Sequence, residues 1–120
     1  MFTEQFGFSG YTKPIEPVLL NDNEFDLSEY EESGEELEVS NDLMQEMVLA
    51  TNKEVSKKTG LCTYIIETTS IKKYRNKASN QEIYRCMFMC VKHKGFALGF
   101  AVTSDLRIID NRATVLSVRT

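Results

Sequence analysis

"EIYRCMFMCVK", residues 82–92, decides how the rest of this chain is read. It carries Cys86 and Cys90, and the one histidine of the chain, His93, follows directly. Coiled into a helix, the stretch would align all three for a metal ion, with Cys62 as a fourth ligand. Extended, it keeps them apart: residues four apart in a strand are separated by ~13 Å, at ~3.3 Å per residue. Two thiolates on one zinc lie within ~4 Å, because a Zn–S bond is near ~2.3 Å. His93 would also face away from both cysteines, since side chains alternate along a strand. The apolar, aromatic composition and the following "HKG" turn favour the strand. The expectation is therefore buried, inert thiols, no metal site and no cofactor.

Working outward, a period of two holds from Leu61 onward. "CTYIIETTSIKKY" reads as a strand, "RNKASNQ" as a polar loop, and 82–92 as the next strand. The latter is apolar on both faces, with Ile83, Met87, Met89 and Val91 on one and Tyr84, Cys86, Phe88 and Cys90 on the other. Burial on both sides marks a central strand. "FALGFAVTS", "DLRII", the turn "DNR" and "ATVLSVR" continue a meander. The final "SVRT" stops inside a strand-like run, as in a fragment of a longer chain.

Before the meander lies one helix, expected over about 41–58. Ser40 can cap it, Asp42 suits the positive end of its dipole, and Gly60 supplies the stop. Met44, Met47, Val48, Thr51 and Val55 share a face at helical spacing. The fold class is thus α+β: one amphipathic helix, then an antiparallel four- to five-stranded meander, in a domain spanning 40–120.

Residues 1–39 form an acidic arm, expected to be flexible. Nine of the 18 residues from 21 to 38 are acidic, which predicts disorder in the free protein. Pro14 and Pro17 exclude a regular helix nearby. The charge is lopsided: residues 1–60 carry 14 acids and 4 bases, residues 61–120 carry 4 acids and 10 bases. The acidic half could therefore lie across the basic half and mask it. "NEFDLSEYEESGEEL" also has the acidic-hydrophobic composition of docking segments. Ser28 and Ser33 each precede an acid by three residues, a setting for acid-directed kinases.

No basic-then-apolar leader, no apolar run of ~20 residues and no disulfide framework is visible. The chain reads as soluble and intracellular, cytoplasmic or nuclear, without a membrane partner. Paired carboxylates, phosphate-cradling glycine loops and a Cys–His nucleophile pair are missing, so an enzyme is not expected and no catalytic residue is named. One helix covers one sheet face only, and residues 1–20, a second copy or another protein must cover the other. The expected function is that of an interaction or adaptor protein, a viral or regulatory accessory factor. It would self-associate or bind a protein partner through an apolar sheet face, and dock through Phe25, Leu27, Tyr30, Phe6 and Phe8 of the arm. The alternative is a nucleic-acid-binding module using Lys72, Lys73, Arg75 and Lys77, against the plainer possibility of a solvated basic surface. A small metal protein or enzyme built on Cys62, Cys86, Cys90 and His93 ranks last.

Overall fold

A computed structural model of the chain describes residues 20–33, 38–92 and 99–120. Its elements are β1 (Tyr30–Glu32), α1 (Asn41–Thr59), β2 (Thr63–Asn76), β3 (Glu82–Lys92), β4 (Phe100–Ile109) and β5 (Arg112–Arg119). The strands form one antiparallel sheet in the order β1-β2-β3-β4-β5, so the α+β meander expected from the sequence is the fold observed. Among the described residues, no helix is long and apolar enough to cross a membrane.

The helix forms where its caps dictate. Ser40 Oγ accepts from the Leu43 N–H at 3.2 Å, satisfying one of the orphan donors of the first turn. Gly60 ends the helix at φ 70°, a left-handed conformation that a side chain would strain, and its N–H returns to Ser56 O. The buried stripe is Leu43, Met47, Thr51 and Val55. Met44 and Val48, expected on this face, flank it half-buried and pack against the same cluster, while Leu43 joins the buried stripe.

Strand β3 is extended throughout, and its even-numbered side chains face the helix. Leu43 and Met47 pack with Tyr84, Cys86, Phe88 and Leu106. Val55 packs with Leu20, Cys90, Val102 and Val118. Two register shifts in β2, at Ile65/Glu67 and Thr68/Ser70, insert bulges that bend it. The last hairpin is tight: Asp110 and Asn111 both take positive φ, 49° and 59°, the two-residue turn whose twist matches the strands.

Two segmentations differ from expectation. "RNKASNQ" loses its first two residues to β2, which runs on to Asn76. "DLRII" is not a separate piece but the second half of β4. The polar pair Ser104–Asp105 reads as a break in the sequence, yet both residues are fully buried and partnered. The "HKG" turn with His93, and Phe96, Ala97 and Leu98, lie outside the described residues.

Within the helix-side core, Thr51 Oγ1 and Ser104 Oγ are hydrogen-bonded at 2.9 Å, both residues fully buried. This contact fixes where α1 sits over β4. Thr51→Val should cost about 1–3 kcal/mol by stranding the Ser104 hydroxyl. Adding Ser104→Ala should recover much of that loss, measured as a double-mutant cycle in urea. Simple additivity of the two losses would mean that the pair does not act as a unit.

Candidate interaction face of the sheet

The odd-numbered side chains of β3 point away from the helix, and this second face is not uniformly apolar. At its centre Arg85 stands opposite Asp105, which stands opposite Ser117; Arg119 lies two residues further along β5. Asp105 is fully buried. Its Oδ1 accepts from Arg85 Nε at 2.7 Å, and its Oδ2 accepts from Arg119 Nη1 at 2.8 Å and from Arg85 Nη2 at 3.2 Å. A buried carboxylate is tolerated only when paired and hydrogen-bonded in this way. The bond to Asp105 in turn raises the affinity of Arg85 for its proton, against the opposing effect of burial.

The acidic arm completes this node. Asn21 bridges to Arg119 at the edge of β5. Ser117 Oγ donates to Asn23 O at 2.7 Å. Glu24 accepts from Arg85 Nη1 at 2.8 Å. The Phe25 N–H points at Asp105 Oδ2 (3.4 Å), and Phe25 O accepts from Arg85 Nη2 (3.3 Å). The chain then reaches the far edge, where β1 pairs with Tyr74, Arg75 and Asn76 of β2. Residues 21–29 are thus a strap laid across the face from β5 to β2. Leu20 at its start and Val39, further along the chain, both pack on the helix side. Residues 21–33 lie on the sheet, where basic side chains face acids that would otherwise repel one another. The expected overlay of acidic on basic residues is seen in Glu24–Arg85, Glu24–Arg119 and Glu31–Lys77.

The docking residues read from the sequence fall within this arrangement. Phe25 and Tyr30 meet edge to face, with ring centroids 5.9 Å apart, and both are half-buried, as is Leu27. Ile83, on the same face, is fully buried. Phe6 and Phe8 lie outside the described residues. The basic cluster is largely engaged with acids. Lys73 and Arg75 both bind Glu82, at 3.0 and 2.9 Å, and Lys77 binds Glu31 at 2.7 Å, whereas Lys72 is exposed. Burial alone would raise the Glu82 pKa, but the hydrogen bonds from Arg75 and Lys73 outweigh it and the net direction is down.

The cysteines do not form a centre. Cys86 and Cys90 sit in different apolar clusters, and burial pushes their thiols up to about 12 and about 11, so both stay protonated near neutrality. Cys62 is exposed. Among the described residues, no group of three or more His, Cys, Asp or Glu side chains could hold a metal ion.

Past the strap, toward the far end of β3, several residues of this face are exposed. Tyr64 and Met87 are 46% and 41% exposed, Gly99 and Ala101 are exposed, and Met89 and Val91 are half-buried. Met89 lies directly over Gly99: a Cβ there would come within 2.9 Å of its sulfur. No protein-family model, curated protein or solved structure matches the chain, so the reading of this face rests on its own chemistry.

Where the strap begins, Asp22 accepts from Lys58 Nζ at 2.6 Å and from the Val118 N–H at 3.1 Å. The Lys58 bond lowers its pKa most, burial opposes, and the Val118 bond assists the lowering. A carboxyl that binds protons less readily when folded stabilises the fold above its unfolded pKa, near ~3.9, and loses that contribution as pH falls through the folded value. Wild type should therefore exceed Asp22→Asn in stability at neutral pH, and the gap should close below about pH 4. Urea midpoints of both proteins at neutral and acid pH would show it; a gap that persists in acid would contradict it.

Proposed function

We propose that the chain is a non-enzymatic protein-interaction module that self-associates through the exposed end of its strapped sheet face. The observation that carries this reading is the exposure of Tyr64 and Met87 on that face, beside exposed Gly99 and Ala101. An apolar surface left wet forfeits ~25 cal/mol per Å2, a steady drive toward a partner. Methionine suits such a contact, because its unbranched, polarizable side chain adapts to the opposing surface.

Charge placement favours a second copy as that partner. On β2, Glu67 is level with Met89 and Lys72 with Arg85, so the two exposed charges flank the level of Met87 symmetrically. Two sheets packed face to face about a two-fold axis through that level would set each Glu67 against the other copy's Lys72. The two Met87 side chains would meet at the centre. A two-fold contact needs only such a self-complementary patch. The arm serves as the second contact, released from its own sheet when a partner competes for it.

Size-exclusion chromatography with light scattering tests this from about 1 to 100 µM, a range that reveals weak dimers. The wild-type mass should rise toward that of a dimer, and Met87→Lys should hold the protein at monomer mass without lowering its stability. A wild-type monomer across the whole range would refute the reading.

A further inference from the structure

The strap is held less like a strand than like a bound peptide. From Asn21 to Phe25 it joins the ladder only at Asn21, and the residues that follow are recognised individually by side chains and one N–H of the body. The Asp22 carboxylate is taken by Lys58 and the Val118 N–H. The Asn23 carbonyl is taken by Ser117. The Glu24 carboxylate lies 2.8 Å from Arg85 and 3.9 Å from Arg119. Both backbone groups of Phe25 are read, its N–H by Asp105 and its carbonyl by Arg85. These readers come from α1, β3, β4 and β5, and Asp105 is fully buried among them. Remove the strap, and the face keeps two guanidiniums around one carboxylate, a net positive site with donors aimed outward. Arg107, on the same face, adds a buried Nε with no acceptor among the described residues.

We propose that this face is a recognition groove for extended acidic peptides with the pattern acid–x–acid–aromatic, and that residues 22–25 are its built-in occupant. The ligand is a segment of a protein partner that carries this pattern. Charge complementarity sets the class: Arg85 and Arg119 select a carboxylate, and the Asp105–Arg85 pair clamps the backbone of the residue after it. The strap competes at the effective concentration of a tethered segment, in the millimolar range, so the groove opens to a partner when the strap is weakened. This groove is separate from the exposed end of the face around Met87, and the inference does not rest on self-association.

A fluorescent peptide with the sequence of residues 20–33 is the probe, titrated into the full chain by anisotropy. Asp22→Lys/Glu31→Lys loosens the strap at both ends and leaves every reader in the body in place. Glu24→Gln, at an exposed side chain, is the milder variant should the first not fold. The loosened chain should bind the peptide at least about tenfold more tightly than wild type, because the internal competitor is weakened. Binding should weaken as NaCl rises from about 0.05 to 0.3 M, and a peptide with Lys in place of Glu24 should lose at least about tenfold. Equal binding by loosened and wild-type chains, or indifference to Glu24 in the peptide, would overturn the proposal.

Discussion

A carboxylate with no solvent contact stands at the middle of this sheet, and most of the molecule's asymmetry follows from it. Isolated, buried Asp105 would cost several kcal/mol. Arg85 from β3 and Arg119 from β5 compensate it, yet two guanidiniums on one carboxylate leave an excess positive charge. Glu24 from the strap neutralises that excess, and the Phe25 N–H adds a further donor. The acidic arm is therefore part of the balance of charge under it. The same residues that forbid the arm a core of its own give it a place on a basic face.

The two faces are held by different physics. On the helix side, Phe88, Met47, Leu106 and Val118 are fully buried, and two hydroxyl pairs, Thr51–Ser104 and Ser56–Thr63, tie the helix to the sheet. On the strap side, the contacts are ion pairs and main-chain hydrogen bonds, half-exposed and sensitive to salt. In the function we propose, these contacts are the ones that would yield to a partner, while the helix-side core stays closed. Beside it, Met87 and Tyr64 are partly exposed.

Much of the fold was legible because it is local. Ser40, Asp42 and Gly60 mark the helix ends, and the alternation from Thr63 to Arg119 marks the strands. The extended reading of 82–92 also separates Cys86 from Cys90, since alternation and spacing are properties of the chain itself. The strapped node was not legible. Arg85 interrupts an apolar strand and Asp105 opens a polar step in another. Only the cross-strand register, which depends on where the hairpins turn, sets them opposite each other. The acid composition of 21–38 says that the segment cannot build a core alone, and it is silent on whether a basic surface waits nearby. Arg85 is the one charge in the middle of the otherwise apolar β3, and it is the residue that signals the node.

The measurement closest to the central claim is hydrogen–deuterium exchange on wild type and Asp105→Asn, a variant that keeps the shape and removes the charge. Protection should fall in residues 20–33, released as the charge balance beneath them is lost, while peptides from the helix at 41–59 keep their wild-type protection. Unchanged protection of 20–33, or a uniform loss across helix and strap alike, would contradict a strap held by that carboxylate and its two arginines.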